Sequence, residues 1–276
     1  MTFLLTELGF DPPRLVKALF ETNLLLLFTI CFAHSLKTKG WRRTLREFSA
    51  GFALTAMAES AGVLSGAYVY PGFRFYVLAT PVGNPASWIA LVYVIMTVSD
   101  RLVFGRRALE HEENRPTKSE SPAPLRIKGS LVLTLILLAS CDALLALLID
   151  LVLDPLATIF NWWIWVPYEA GVHTIQAGAV KPYNFDHLVW MTTPENPVAE
   201  FFHQFFQGGW RYPTRVLGIP LINFVAWVVF VFTFSFQFRF VESKAHWGEW
   251  KRTAVLWAIV LADVPILALL LISPNL

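Results

Sequence analysis

The chain has 276 residues, of which 55% are hydrophobic and only 15% charged, with a mean hydropathy of +0.53 and a formal net charge of +2. A soluble domain carries nearer a quarter charged residues, so this balance excludes an ordinary water-soluble globule and points to a bilayer as solvent. So small a net charge gives no ground for a nucleic-acid partner, and two isolated cysteines, Cys31 and Cys141, give none for a disulfide or a metal–thiolate site.

A helix needs about 20 apolar residues to cross roughly 30 Å of hydrocarbon. Runs of that kind occur near 18–35, 48–66, 81–99, 129–152, 216–238 and 253–272. They predict an all-α, polytopic integral membrane bundle of about six transmembrane helices. The first run follows Glu7, Asp11 and a Pro-Pro pair, which does not read as a cleavable leader. Residues 155–168, with Trp162, Trp163 and Trp165, predict a further interfacial or re-entrant helix. Beyond them, Val198, Phe201, Phe202, Phe205 and Phe206 fall at helical spacing within Pro197–Gln207. That stretch reads either as a packing element or as a cover over a lipophilic entrance.

Sixteen of the 22 Lys and Arg fall in three segments, Lys37 to Arg46, Arg101 to Lys128 and Arg239 to Arg252. Six spans place all three on one side, which the positive-inside rule makes cytoplasmic. Both termini are then non-cytoplasmic, and the expected location is a bacterial-type inner membrane. The segment Glu110 to Lys128 is rich in charge, Pro and Ser and reads as a flexible linker.

The chain also repeats itself. Val77-Leu78-Ala79-Thr80-Pro81-Val82-Gly83-Asn84 and Val216-Leu217-Gly218-Ile219-Pro220-Leu221-Ile222-Asn223 share the pattern V-L-x-x-P-[VL]-x-N, and Trp88 and Trp227 follow at the same distance. Upstream stand Tyr68-Val69-Tyr70-Pro71 and Trp210-Arg211-Tyr212-Pro213. The expected organisation is a single membrane domain, 1–276, whose core of four helices arose by internal duplication. Its parts are a first repeat at 48–99, a cytoplasmic linker at 100–128 and a second repeat at 129–240. A non-cytoplasmic insertion at 169–209 lengthens the second repeat, and a final span occupies 253–272. Membrane duplications tend to place their site where the copies meet.

Within the spans lie Glu59, Asp142, Asp150 and Asp263, with Asp154 at a span end, and no Lys or Arg falls inside a span to pair with them. Carboxyl groups in hydrocarbon are costly unless protonated, solvated or hydrogen-bonded, and a neutral buried acid is what proton donation to a weakly basic substrate needs. Glu59 falls in the outer half of span two. Asp150 and Asp154 lie four residues apart, on one helix face at the outer end of span four. Asn84 and Asn223 open spans three and five from the same side. These five are the candidate catalytic residues.

The candidate substrate-binding residues are Tyr68, Tyr70, Trp88, Trp165 and Trp227, with Asp142 two turns deeper as a cavity floor. Aromatic faces beside acids suit a carbocation. Each has a plainer reading too. Asp154-Pro155 also reads as a helix end, Asn84-Pro85 as an N-cap with Pro at the first helical position, and Asn223 as intramembrane glue. Gly62 and Gly66 beside Glu59 allow the close approach of a helix or a flat substrate. Trp162 and Trp210 read as interfacial belt. Glu200-x-x-His203 is an isolated pair, so no metal and no cofactor is expected.

Three elements taken together resemble a known family: Asp150-x-x-x-Asp154-Pro155-Leu156-Ala157, Asn161-Trp162-Trp163-Ile164-Trp165, and Gly218-Ile219-Pro220-Leu221-Ile222-Asn223-Phe224-x-x-Trp227. In that order they are similar to the D-P-x-A, W-x-W and G-[VI]-P-L-x-N-F-x-x-W elements of the membrane carotenoid-biosynthesis family that includes the carotenoid 1',2'-hydratases. Glu59-Ser60-Ala61-Gly62, Gly66-Ala67-Tyr68-Val69-Tyr70 and Pro81-Val82 match its first half, so the resemblance covers roughly 48–240. Here residues 166–217 separate the second and third elements, where family members have a short turn.

The resemblance implies acid-catalysed addition of water to the terminal C1=C2 alkene of an acyclic carotenoid. Asp150 or Glu59 is then the proton donor, Asp154 the partner base, and Asn84 and Asn223 orient water or acid. The expected partners are a lipophilic isoprenoid or carotenoid and the bilayer. Two alternatives stay open: an isoprenoid cyclase initiated by the same protonation, and a lipophile-binding or transport protein whose acids relay protons.

Overall fold

Hydrocarbon offers a backbone no hydrogen-bond partner, so apolar runs satisfy their own N–H and C=O groups by coiling. The structure, a computed structural model, describes residues 12–64, 67–70, 72–105, 130–160, 162–165, 191–192 and 215–272. Six helices are found among them: α1 (Pro12–Lys39), α2 (Trp41–Leu64), α3 (Gly83–Phe104), α4 (Leu131–Ile159), α5 (Leu221–Glu242) and α6 (Glu249–Ile272). Between them run two-residue strands, β1 (Tyr68–Val69), β2 (Tyr76–Val77), β3 (Thr80–Pro81), β4 (Ile164–Trp165), β5 (Met191–Thr192), β6 (Arg215–Val216) and β7 (Ile219–Pro220). The fold is mostly α and polytopic. Helices α1, α3, α4 and α5 are long and apolar enough to cross a membrane. Helix α2 opens instead with Arg42, Arg43, Arg46 and Glu47, and α6 with Glu249, Lys251 and Arg252.

Helix α4 packs between α3 and α5, α1 lies on α2 and α3, and α6 on α2 and α5. The core runs through their middle, with Phe48 of α2, Trp88, Ile89, Val92 and Tyr93 of α3, and Val231, Phe234 and Phe238 of α5. Gly51 makes this packing possible, because a Cβ there would run into Ile89 and Phe234.

At one end of the bundle the basic residues between the first two predicted spans are helical. Helices α1 and α2 are separated by Gly40 alone, which takes the left-handed conformation at φ +78°. Lys and Arg are good helix formers, so the basic run coils on either side of it. Arg46, 2% exposed, then reaches Glu242 at 2.8 Å from Nε and Glu249 at 2.9 Å from Nη1, joining α2 to α5 and α6.

The expectation that no basic residue neutralises the intramembrane acids fails at Asp142. Helix α5 continues past the apolar run, and side chains on a helix lean toward its N-terminus. Arg239 therefore reaches back into the bundle, to Ser235 Oγ at 2.6 Å and to the carboxylate of the fully buried Asp142. Its other terminal nitrogen donates to Met96 O (3.1 Å), Ser99 Oγ (3.0 Å) and Asp100 Oδ1 (2.9 Å). Ser99 and Ser235 also donate to Asp142. Asp142 is thus half of a buried ion pair joining α3, α4 and α5, and not the floor of a cavity.

The opposite end is built from turns. β2 pairs with β3 with Val77 opposite Thr80, and β6 with β7 with Val216 opposite Ile219. Both hairpins turn through a leucine in the left-handed region, Leu78 at φ 54° and Leu217 at φ 52°, and both lead directly into a helix. β6 also pairs with β5. β1 and β4 pair antiparallel, Tyr68 opposite Trp165 and Val69 opposite Ile164, stitching the loop after α2 to the chain after α4.

Two local expectations change here. Helix α4 passes through Pro155 to Ile159, since one missing N–H interrupts the ladder without ending it. The β-branched and aromatic pair Ile164-Trp165 then forms a strand where a further helix is expected. Most of the 100–128 linker and of the 169–209 insertion lies outside the described residues. So do Gly66, Asn161, Pro197–Gln207, Glu200, His203 and Trp210–Pro213.

Candidate functional site

At the end away from Arg239, the helices line a cavity of about 230 Å³. Helix α2 brings Glu59, α3 brings Asn84, Ser87, Trp88 and Leu91, and α4 brings Asp150, Leu153 and Asp154. Helix α5 adds Asn223 and Trp227, while the β1 and β4 segments add Tyr68, Tyr70, Trp162, Trp163 and Trp165. Phe20, Leu24 and Leu27 of α1 line it as well. All five candidate catalytic residues therefore line one space, as do Tyr68, Tyr70, Trp88, Trp165 and Trp227. Asp142 does not.

Glu59 is held from one side. Tyr68 and Tyr70 both donate to its Oε2 at 2.6 Å. Tyr68 gets so close because Gly62, one turn beyond Glu59, has no side chain, and a Cβ there would collide with the phenol. The close approach anticipated at Gly62 is thus made by a residue of the same chain. Tyr70 Oη in turn accepts from Asn84 Nδ2 at 2.6 Å. Burial, then the Glu59 carboxyl, holds both phenols well above the ordinary tyrosine range, so these loop residues remain donors.

Asn84 does not cap its helix. The N-cap position is Val82, without a side-chain bond, and Asn84 falls in the first turn with its amide turned toward Tyr70. Asn223 occupies the matching place in α5. Its Nδ2 donates to Asp150 Oδ2 at 3.1 Å and to Asp154 Oδ2. One amide therefore spans two carboxyl groups one helical turn apart.

Trp88 and Trp227, each one turn beyond its Asn, stack with their planes 16° apart. Trp162 lies on Phe20 at 3.6 Å and 8°, which makes it part of the cavity wall where an interfacial belt is expected. Outside the cavity, Asp263 accepts from Gln237 at 3.0 Å.

A spacing signal links the two acidic poles. Glu59 stands nine residues before Tyr68-x-Tyr70, and Asp154 nine residues before Trp163-x-Trp165. These aromatic segments are the strands that pair, Tyr68 against Trp165. Asp150 has no counterpart, because the residue four before Glu59 is Thr55, whose hydroxyl turns back to Gly51 O at 2.8 Å. The α1 contribution carries no such signal, since Phe20, Leu24 and Leu27 read as ordinary apolar helix.

Chemically the cavity combines three carboxyl groups, two phenols, two amides and a wall of rings, with no Lys, Arg or His among its described lining residues. Such a space can hold and pass a proton, and it favours positive charge. Comparison with known protein families, with curated proteins and with solved structures found no match for the chain.

Proposed function

We propose that this chain is a membrane enzyme that adds water across the terminal C1=C2 double bond of an acyclic carotenoid or similar isoprenoid by acid catalysis, without a cofactor. The observation that carries the reading is the cavity itself, where Glu59, Asp150 and Asp154 face aromatic walls with no basic side chain among the described lining. Of the residues of the resemblance, Glu59, Tyr68, Tyr70, Asp150, Asp154, Trp163, Trp165, Asn223 and Trp227 are among those that line that space. A water-sized group occupies about 30 Å³, so the cavity takes a branched end group and one water while the polyene extends into the bilayer.

In this reading a carboxyl of the Asp150–Asp154 pair gives its proton to C2, and the π electrons form the new C–H bond. The tertiary cation at C1 is stabilised by the aromatic wall of the cavity and by the nearby acids. Water then bonds to C1 and loses a proton to the partner carboxylate, so the pair ends with the proton it started with. Asn223 fixes the two acids relative to each other, while Tyr68, Tyr70 and Asn84 fix Glu59. Atoms balance as alkene plus water to tertiary alcohol.

The two hairpin–helix units are read as an internal duplication, supported by the shared V-L-x-x-P-[VL]-x-N pattern and the matching registers. The basic end around Arg46 and Arg239 is read as cytoplasmic in a bacterial-type inner membrane, with both termini on the other side.

Expression in a polyene-producing host tests the reaction. A product heavier by one water supports hydration, and an unchanged mass with a new ring supports cyclisation in its place. Asp150→Asn and Glu59→Gln should each lower product formation by roughly 10²–10⁴-fold. Binding of a polyene without any covalent change would favour a transport role and end the enzymatic reading.

A further inference from the structure

Around Glu59 the cavity wall is a box of rings. Trp163 meets Tyr70 edge-on at 6.2 Å and 72°, Tyr70 meets Tyr68 at 5.5 Å and 84°, and Tyr68 meets Trp165 at 4.9 Å and 69°. Each ring is turned steeply against the next, and all four line the cavity together with Glu59. Rings set this way make the walls of a cage, whereas Trp88 and Trp227 lie flat on each other. The β1–β4 pairing fixes Tyr68 opposite Trp165 and so holds the cage together.

The carboxyl among these rings is arranged as an anion. Tyr68 and Tyr70 both donate to its Oε2 at 2.6 Å, the length of an O–H bond to a charged oxygen. Asn84 donates to Tyr70 Oη, which leaves the Tyr70 proton for Glu59. The Asp150–Asp154 pair has less, because Asn223 spreads one amide nitrogen over both carboxyls. No Lys, Arg or His among the described lining residues offsets Glu59, and an unpaired charge within a membrane is costly. A metal ion needs several ligands, and no three His, Cys, Asp or Glu group in that way among the described residues. A bulky, weakly hydrated cation suits both the carboxylate and the ring faces. We infer that Trp163, Tyr70, Tyr68 and Trp165 form a cation cage with Glu59 as its counter-charge, and that the cavity binds the head of a lipophilic quaternary ammonium. The inference deepens the hydration reading, in which a tertiary cation of similar outline forms at C1 and passes on.

Binding tests this without turnover. Purified protein in a maltoside, whose head group is neutral, is titrated with nonyltrimethylammonium and with 2,2-dimethylundecane, the same skeleton with carbon in place of N⁺. Calorimetry follows both. The ammonium should bind saturably. Glu59→Gln keeps an oxygen for the phenols and should weaken the ammonium about tenfold, while the alkane stays within about twofold. Should Glu59→Gln lose both ligands, fluorinated tryptophans in place of Trp163 and Trp165 decide, because they keep the ring's outline and weaken its negative face. Ammonium affinity must then fall with each added fluorine, and alkane affinity must not. The inference is overturned if the unaltered protein shows no saturable ammonium binding, if Glu59→Gln binds the ammonium undiminished, or if the fluorine series shows no trend. Hydration without ammonium binding sinks this inference and leaves the hydration reading standing; ammonium binding in a protein that never turns over does the reverse.

Discussion

Asn223 and Asp154 sit on different helices and share a hydrogen bond, and the same amide reaches Asp150 one turn earlier. Two acids on one helix face would otherwise repel when ionised and drift apart when not. The amide ties one oxygen of each to the same nitrogen.

Asn223→Ala should therefore slow product formation more than it weakens the fold. Loss of one positioned donor typically costs roughly 10²-fold in rate. The comparison to make is initial rate against unfolding midpoint in detergent. A rate within about twofold of the unaltered protein would leave Asn223 as helix glue alone.

Gly62 is the second test, because its role is to leave space. Gly62→Ala puts a methyl group where the Tyr68 phenol lies. The expected outcome is a variant whose activity matches that of Tyr68→Phe, since both separate the phenol from Glu59, with about 1–3 kcal/mol of destabilisation from overpacking. If Gly62→Ala retains full activity while Tyr68→Phe does not, the phenol has another route to Glu59.

At the other end of the bundle the prediction concerns stability alone. Arg239→Met strands the Asp142 carboxyl among Ser99 and Ser235, and breaking such a buried pair costs about 3–5 kcal/mol. The double variant Asp142→Leu with Arg239→Met should recover most of that loss. Denaturant titration in detergent distinguishes the two.

The buried phenols give a pH dependence with a definite sign. Burial, and after it Glu59, raises Tyr68 and Tyr70 above the ordinary value near 10, so above about pH 10 the unfolded chain releases protons that the folded chain keeps. Stability should fall with rising pH in that range. The fall should be shallower in the Tyr68→Phe, Tyr70→Phe double variant; equal slopes from pH 9.5 to 11 would mean that water reaches the phenols.

Much of the site was legible because its residues violate the rules of their surroundings. Carboxyls in apolar runs, Asn in a helix without polar company and a twice-written V-L-x-x-P-[VL]-x-N all stand out from a lipid-facing background. Asp142 was misplaced because its partner Arg239 lies one residue past an apolar run, and only the backward lean of helical side chains brings it inside. The pairing of Ile164-Trp165 with Tyr68-Val69 was equally hidden. Two-residue strands have no periodicity, and their partners are far apart in sequence. The lining by Phe20, Leu24 and Leu27 gives no signal, because a helix face turned to a cavity reads like one turned to lipid.

The β1–β4 pairing has one more consequence. Glu59 and Asn84 come from before the 106–129 segment, and Asp150, Asp154 and Asn223 from after it, so neither half of the chain owns a complete pocket. Among the non-covalent contacts that join the described parts of the halves are the Tyr68–Trp165 strand pair and the Trp88–Trp227 stack at one end, and Arg46 with Glu242 and Arg239 with Asp100 at the other. Two polypeptides severed within 106–129 and made together should find each other in the bilayer and rebuild the cavity, as two subunits of one protein.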